Sequence, residues 1–430
     1  MSVNKKIRKI IAAVLSSTML INMSACGKSV EDEKPSTAFD RGVQAENLVS
    51  GVEEQDVEGK IADDKFINSQ LDFSVDMFKN SVKYGENKNI LISPLSIMLA
   101  LSMTANGANG ETKEVMEDVL AGGIKVEELN EYLYKYVRTL PSSDKSKLSL
   151  ANSIWTLDKF NVRDSFIQTN ANYYSADMYK VPFDDNSLND INNWVKENTD
   201  GMIEKIMEKH SDGAVMYLIN ALTFDAEWED VYEAEDIKNG RFTSYAGKEN
   251  KVEFMFSKEN IYLHDKDTTG FIKPYKNNEY SFVALLPDED IDILEYIDSF
   301  TYDKYINLME SKESRKVNAV LPKFSYEYGK SIVKELCNMG MGLAFNPVAA
   351  DFSNIGDGPL CIGDVVHKTF IQVDANGTKA GAATKVEIMK NSVSIEDNKI
   401  VRLDRPFVYM IIDNATNLPI FMGATMDIEN

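Results

Sequence analysis

Several segments in the second half of the chain are apolar without interruption. They are YSFVALLP at 280–287, FVYMIID at 407–413 and IFMGATM at 420–426. A strand with one solvent-exposed face alternates apolar and polar residues, so these uninterrupted runs predict central strands that are buried on both faces. The segments KLSLANSIWTL, KVNAVLPKF and TFIQVDANG predict further strands. The second half therefore requires a large sheet with layers packed on it.

The first half of the chain predicts helices. Apolar residues recur at helical spacing from Phe66 to Phe78. Another helix is expected to begin at Ser93 and Pro94, because proline favours the first helical turn and the glycines of NGANGE follow the end of the apolar run. Helices dominate one half and strands the other, which predicts an α+β fold.

Composition excludes several classes of function. The 430 residues carry a formal charge of -22, which would repel a nucleic-acid backbone or a bare anionic membrane. The chain has three histidines and none of the motifs GxSxG, HExxH, P-loop or GxGxxG. It also lacks metal-ligand spacing. The sequence therefore predicts a protein that is not an enzyme and needs no metal or cofactor.

The N-terminus predicts export. Basic residues precede an apolar run from Ile10 to Ile21, which is short for a membrane-spanning helix. The segment Met23–Cys26 resembles a bacterial lipobox, so residues 1–25 are predicted to be a lipoprotein signal peptide and Cys26 the lipid-modified residue. Its acyl chains would anchor the protein at the cell surface. An ordinary cleaved signal peptide, with a secreted product, is the alternative.

The segment after Cys26 is acidic and poor in aromatic residues, as in EDEKPST and GVEEQDVEGK. Such a composition cannot bury enough apolar surface to offset the entropy of ordering. Residues 26–62 are therefore predicted to be a flexible tether, and residues 63–430 the folded domain. Cys337 and Cys361 are expected to be unpaired and buried, with a disulfide between them as the alternative.

The late segment GTKAGAATKVEIM, residues 377–389, allows two interpretations. Its alanines favour a short helix. Its alternation favours a strand, because every second residue forms one consistent set. The set that begins at Thr378 continues with Ala380, Ala382, Thr384, Val386 and Ile388. Period two indicates a strand with one face suited to burial.

Seven segments, in order, resemble the serpin family and span about residues 65 to 430. They are NILISPLSIMLALSMTANGANGET, NALTFDAEWED, LPKF, ADFS, VVHKTFIQVDANGTKAGAAT, DRPFVYMI and IFMGATM. The resemblance implies a serpin fold with three β-sheets, about nine helices and an exposed reactive-centre loop.

The resemblance also implies a function as a serine-type endopeptidase inhibitor. In that family a target protease attacks the loop as a substrate, and the cut loop inserts as a new strand into the central sheet. Insertion traps the acyl-enzyme before water can release it. The partner is then a serine protease, with cysteine proteases as further targets, and the inhibitor is expected to be a monomer. The alternative is a non-inhibitory binding or adhesion module that keeps the fold.

The alternating segment resembles the hinge of that loop. The hinge comprises Gly377, Thr378, Lys379, Ala380, Gly381, Ala382, Ala383 and Thr384. The family's spacing from the hinge glycine places the reactive bond between Asn391 and Ser392, with Lys390 and Met389 as alternatives for the residue before the cut. The set from Thr378 to Ile388 contains no charge and no proline, which favours an inhibitor over an inert module.

Other positions match parts of the family's central sheet. Ser93, Ser96, Asn220 and His367 match a hydrogen-bonded cluster where the sheet must part. Trp228 and Lys323 match the top of the sheet, where insertion starts. The chain departs from the family at Ala375 and Asn376, where inhibitory members usually carry acidic residues, the first of which pairs with this lysine. The departure predicts a loop end that is less firmly held.

Overall fold

The computed structural model describes residues 43–210, 213–378 and 398–429. Within these ranges the helices are α1 (Asp64–Lys83), α2 (Pro94–Ala105), α3 (Gly110–Ala121), α4 (Val126–Thr139), α5 (Asp164–Tyr174), α6 (Asp185–Asn198), α7 (Ile293–Asp298), α8 (Tyr302–Glu310) and α9 (Val333–Asn338). Short 3-10 turns occur at Ala234–Asp236, Lys276–Asn278 and Met341–Phe345. The helices expected from Phe66 and Pro94 are confirmed as α1 and α2.

The strands alternate with these helices and dominate the second half, as predicted. They are β1 (Glu46–Asn47), β2 (Ile90–Ile92), β3 (Ser146–Leu157), β4 (Asp177–Val181), β5 (Met216–Glu227), β6 (Ile237–Thr243), β7 (Glu249–His264), β8 (Thr268–Pro274), β9 (Tyr280–Pro287), β10 (Glu313–Pro322), β11 (Phe324–Ser331), β12 (Val366–Val373), β13 (Gly377–Thr378), β14 (Lys399–Arg402), β15 (Phe407–Asp413) and β16 (Pro419–Thr425). The apolar strands β9, β15 and β16 are buried along their whole length and adjacent in one sheet, which confirms the α+β prediction.

The first sheet, here called sheet A, has the strand order β1-β4-β3-β5-β13-β12-β11. The strands β3 and β4 are parallel, and the other neighbours are antiparallel. Across the described part of the chain, the long strands β5 and β12 are joined in this order only by the two-residue strand β13. Sheet A therefore has a narrow junction at its middle.

The second sheet has nine strands, in the order β14-β10-β7-β8-β9-β15-β16-β2, with β6 also paired to β7. The resemblance implied three sheets, whereas the described strands form two hydrogen-bonded ones. The physical reason is β7, which pairs with β6 and β10 along most of its length and with β8 near its end. A strand shared in this way joins two expected sheets into one ladder.

Sheet A separates two apolar clusters. Even-numbered residues of β5 such as Leu222 and Phe224 belong to the main core, which also contains α1 and α2. Odd-numbered ones such as Tyr217 and Ile219 pack in a smaller cluster with Trp194 of α6. Successive residues of a strand point to opposite faces, so any strand added beside β5 would present alternate side chains to these two clusters.

The described part of the predicted tether, residues 43–62, packs on the folded body. Strand β1 pairs with β4, and the Leu48 amide donates to the Met178 carbonyl at 2.7 Å. The Lys60 amide donates to the Glu131 carbonyl at 3.0 Å. Backbone pairing and the packing of apolar side chains such as Leu48 and Val52 order this acidic stretch, so the expected boundary at residue 63 is too late.

Two further expectations concern cysteines and membranes. Cys337 and Cys361 are unpaired, but Cys337 is exposed and Cys361 half-buried, so the prediction that both are buried is wrong. Cys337 lies near the end of the short helix α9 with its side chain exposed, and Cys361 lies in the loop before β12. Among the described helices, none is long and apolar enough to cross a membrane.

Candidate functional site

A tight hairpin carries the start of the predicted hinge into sheet A. Strand β12 ends at Val373, and after a turn Thr378 of β13 lies directly opposite it. The Asp374 amide donates to the Gly377 carbonyl at 3.0 Å, and the Asn376 amide donates to the Asp374 carboxylate at 2.8 Å. Hydrogen bonds within residues 374–377 thus stabilise the turn, which places β13 between β12 and β5.

Gly377 lies against the backbone of β5. A Cβ atom at this position would be 1.9 Å from the Ala226 carbonyl oxygen, so only glycine fits. The next residue, Thr378, is 3% exposed, and its hydroxyl is hydrogen-bonded to the hydroxyl of Tyr275. The Tyr275 ring in turn stacks on Trp228 with 4.5 Å between ring centroids. The first inward residue of the hinge is therefore already buried.

The turn is held by a short segment that follows β5, residues 228–232, here called the receiving segment. The Trp228 amide donates to the Asn376 carbonyl at 2.8 Å, and the Tyr232 amide donates to the Ala375 carbonyl at 2.9 Å. The Trp228 indole N–H donates to the Asp374 carbonyl at 2.9 Å. Trp228 was expected at the top of the sheet. Its backbone contacts with the hinge turn could not be predicted from residue types, because any residue carries the same backbone groups.

Lys323 also lies beside this end of the sheet, between β10 and β11. Its ammonium donates to the Glu253 carboxylate at 2.9 Å. The sequence predicted a loop end less firmly held, since Ala375 and Asn376 offer no carboxylate to this lysine. In the structure their carbonyls are bound by the receiving segment instead. Backbone hydrogen bonds therefore hold the turn where no ion pair with Lys323 can form, and the weaker hold on the loop end stays a prediction.

A second group of polar residues lies further down the junction, where α2 begins. The Ser93 amide donates to His367 Nε2 of β12 at 3.1 Å, and the Ser93 hydroxyl caps the helix by accepting from the Ser96 amide at 3.2 Å. The Ser96 hydroxyl is hydrogen-bonded to the Asn220 side chain of β5, which donates to Asn152 Oδ1 of β3 at 2.6 Å. We call Ser93, Ser96, Asn220 and His367 the junction cluster. It fastens β5 and β12 separately to one helix terminus.

His367 is buried, and this desolvation lowers the pKa of its imidazole to about 3. The ring is therefore neutral at ordinary pH, with Nε2 free to accept from the Ser93 amide. The Thr369 hydroxyl adds a second attachment of β12 by donating to the Leu91 carbonyl at 2.8 Å. Protonation of the histidine would remove the acceptor and place a charge in the core.

The structure thus brings the predicted residues together in two places along one junction. Gly377, Thr378 and Trp228 lie at its top, with Lys323 nearby, and the junction cluster lies below. Sequence reasoning missed Tyr275, Tyr232 and Asn152, which occur in ordinary strand and loop contexts without a motif. The remaining predicted residues, Cys26, Lys379, Ala380, Gly381, Ala382, Ala383, Thr384, Met389, Lys390, Asn391 and Ser392, lie outside the described residues.

Comparison with protein families identifies relatives over most of the chain. The sequence model of the family "Serpin (serine protease inhibitor)" matches residues 68–428. An uncharacterized serpin-like protein from Thermococcus kodakarensis is 31% identical, over 84% of this chain and 85% of that protein. Serpin B6 from Macaca fascicularis is 30% identical, over 82% of this chain and 96% of that protein.

Solved structures give the same result at higher identity. The native state of tengpin, a thermophilic serpin, matches with 49% identity and a TM-score of 0.86, over 90% of this chain and all of that one. The latent state of tengpin matches with 48% identity and a TM-score of 0.77, over 88% of this chain. The described fold is therefore more similar to the native than to the latent arrangement.

Proposed function

The chain belongs to the serpin family, whose members are typically protease inhibitors and not enzymes, and on this basis we propose that it inhibits serine endopeptidases as a suicide substrate. Cysteine endopeptidases, which also form acyl-enzymes, are further candidate targets. The proposal rests on the junction between β5 and β12, into which a cleaved loop would insert as a strand.

One observation carries the proposal, and it is the register of β13. Thr378 pairs with Ala226 of β5 and with Val373 of β12. If the chain continued downward in both registers, Thr384 would come opposite Asn220 on one side and His367 on the other. Continued in either register, the inserted strand would bring the last small inward residue of the hinge to the junction cluster, and the agreement of the two registers supports the proposal.

The faces of the hinge support the same conclusion. Thr378 lies on the main-core side with its partners Ala226 and Val373. The residues that would follow on that side are Ala380 and Ala382, which are small enough to pass between existing strands. Further down, Val386 and Ile388 would come opposite Leu218 and Met216 of β5.

At this lower end, Leu218 and Met216 line a largely apolar cavity of about 250 Å³. An apolar cavity of this kind favours the burial of aliphatic side chains. Each added backbone hydrogen bond contributes about 0.5–1.5 kcal/mol and each buried aliphatic side chain about 1.5–3 kcal/mol. A dozen inserted residues would therefore stabilise the inserted state by on the order of 10 kcal/mol.

The chemistry belongs to the protease. Its nucleophilic oxygen or sulfur adds to the carbonyl carbon of the residue before the cut, the C–N bond breaks, and the new amine leaves with a proton. We place this bond between Asn391 and Ser392. A cut after Lys390 would suit trypsin-like enzymes, and a cut after Met389 would suit subtilisin- or elastase-like ones. Inhibition requires insertion to be faster than attack of water on the acyl-enzyme.

The experiment that tests this function uses residues 40–430, which include the packed segment before α1. The protein is incubated with trypsin-, elastase-, subtilisin- and asparagine-specific proteases and analysed by denaturing gels and intact mass. A denaturant-resistant complex and a released C-terminal peptide are expected, and the first residue of the peptide identifies the reactive bond. Loop cleavage without a complex across the panel would contradict inhibition and favour a non-inhibitory binding module.

We also propose that lipid on Cys26 anchors the inhibitor at the cell surface as a monomer. The support is the lipobox-like Met23–Cys26 segment after a short apolar run. Incorporation of an alkyne-labelled fatty acid into the full chain, and its loss in Cys26→Ser, is the expected result. An unlabelled, fully secreted wild-type protein would contradict the anchor without affecting the inhibitory proposal.

A further inference from the structure

A buried ion pair lies directly behind the receiving segment. Lys273 of β8 is 1% exposed and Glu259 of β7 is 5% exposed. Their charged atoms are 3.0 Å apart. Removing two charges from water is costly, and an apolar pair of similar volume is often equally stabilising or more so. Stability alone therefore does not account for this pair, and its contacts indicate another role.

The ammonium of Lys273 contacts the receiving segment at three points. It donates to the Asp230 carbonyl at 3.1 Å. It also lies 4.5 Å from the centre of the Tyr232 ring and 5.4 Å from the Trp228 ring, within the range of cation–π attraction. One charge thus fixes the backbone of the segment in its middle and the side chains at both of its ends.

Glu259 extends the same connection to Tyr232 by a second route. The Ser257 hydroxyl donates to the Glu259 carboxylate at 2.5 Å. The same hydroxyl is 3.3 Å from the hydroxyl of Tyr232. The ring of Tyr232 is therefore held on its face by the lysine and at its hydroxyl through the serine. Its amide is one of the donors that bind the hinge turn.

We infer that Lys273, paired with Glu259, is a positioning residue for loop insertion. The pair holds residues 228–232 so that the amides of Trp228 and Tyr232 point at the carbonyls of Asn376 and Ala375. Donors fixed in advance need no reorganisation when the strand begins to enter. The inference deepens the proposed inhibitory function and rests on it for its kinetic consequence, although the positioning itself is a property of the uncut protein.

The test replaces the pair by apolar residues in the double variant Lys273→Met, Glu259→Leu. We expect its thermal stability to stay close to wild type, since no buried charge is left alone. We expect insertion to be about tenfold slower, the effect of losing one charge-assisted hydrogen bond, so that more inhibitor is cleaved for each complex formed. The matched control is Lys125→Met, Glu117→Leu, a pair with a buried carboxylate 2.8 Å from its lysine, between α3 and α4.

Hydrogen exchange supplies a readout that needs no protease. The amides of Trp228 and Tyr232 are expected to exchange about tenfold faster in the double variant and at the wild-type rate in the control. Faster exchange together with wild-type protein that traps no protease would uphold the positioning role and contradict the inhibitory function. Unchanged exchange and an unchanged ratio of cleaved protein to complex would overturn the inference.

Ser257→Ala provides a milder variant if the double variant does not fold. It keeps the ion pair and removes only the connection from Glu259 to the Tyr232 hydroxyl. We expect the Tyr232 amide to exchange roughly threefold faster, with the Trp228 amide unchanged, since a neutral hydrogen bond at 3.3 Å contributes less than a charge-assisted one. Wild-type exchange at Tyr232 in this variant would count against the inference.

Discussion

The top and the middle of the junction hold the same two strands in different ways. At the top, β13 lies between β5 and β12, and backbone groups of the receiving segment bind the turn that precedes it. In the middle, side chains of Asn220 and His367 attach each strand separately to the start of α2. Close backbone packing makes the top sensitive to any added bulk or charge, whereas the titratable side chain in the middle makes that part sensitive to pH.

The largest effect is expected from Thr378→Arg at the top. The substitution places a charge where the threonine is 3% exposed, and burying an unpaired charge costs several kcal/mol. Insertion should slow by more than about a hundredfold, so the variant should be cleaved and released as a substrate. Thr378→Ser, which keeps the hydroxyl, is the control. Wild-type complex yield from the arginine variant on denaturing gels would show that insertion does not begin at this residue.

Gly377→Ala tests the effect of added bulk at the top of the junction, because it adds a methyl group and no charge. Its Cβ would be 1.9 Å from the Ala226 carbonyl oxygen, and overpacking of this kind costs about 1–3 kcal/mol. We expect about a tenfold rise in the amount of inhibitor cleaved for each complex formed. Gly342→Ala is the control, because a Cβ there meets no atom within 4 Å. If both variants gave the same ratio of cleaved inhibitor to complex, β13 would not be required for insertion.

In the middle of the junction, pH should act through His367. Its folded-state pKa of about 3 lies below its unfolded value near 6.5, so the unfolded state binds more protons between these values. The stability associated with the neutral ring is fully present above about pH 6.5 and is lost as pH falls toward 3, by about 1.4 kcal/mol for each pH unit.

The measurement for His367 is urea unfolding from about pH 4 to 7. Wild type should lose stability on acidification more steeply than His367→Gln. His264→Gln is the control. The side chain of His264 is partly exposed to solvent and contacts Glu313 at the surface, so it is not buried in the core. Identical pH slopes for wild type and His367→Gln would show that the histidine is already charged or already solvated in the folded protein.

The smallest effect is expected at Lys323. Its partner Glu253 is half-exposed, and such surface ion pairs contribute about 0–1 kcal/mol. Glu253→Gln should therefore change the unfolding free energy by less than about 1 kcal/mol, less still at high salt, and leave complex formation unchanged. A marked loss of inhibition would mean that this ion pair, rather than the receiving segment, holds the end of the loop.

The order of elements was predictable from the sequence because their signals are local. Uninterrupted apolar runs identified β9 and β15, and Ser93 with Pro94 identified the start of α2. Two errors followed from contacts between distant segments. Residues 43–62 look like a tether by composition, yet backbone pairing with β4 orders part of them. Three sheets were expected, whereas the strands within the described ranges form two, because the long strand β7 joins two ladders.

The predicted site residues came from the alternation in the hinge and from a family resemblance, and both are patterns of residue type. By itself the sequence predicted which side chains of residues 377–389 would share a face, because the two-residue period of a strand is a property of the backbone alone; of these residues the structure describes Gly377 and Thr378. Only the tertiary structure decided what meets them. The Ala226 carbonyl against Gly377, the Tyr275 hydroxyl on Thr378 and the ion pair behind residues 228–232 join strands far apart in the chain. No local pattern encodes such contacts, because they depend on the register in which the strands pair.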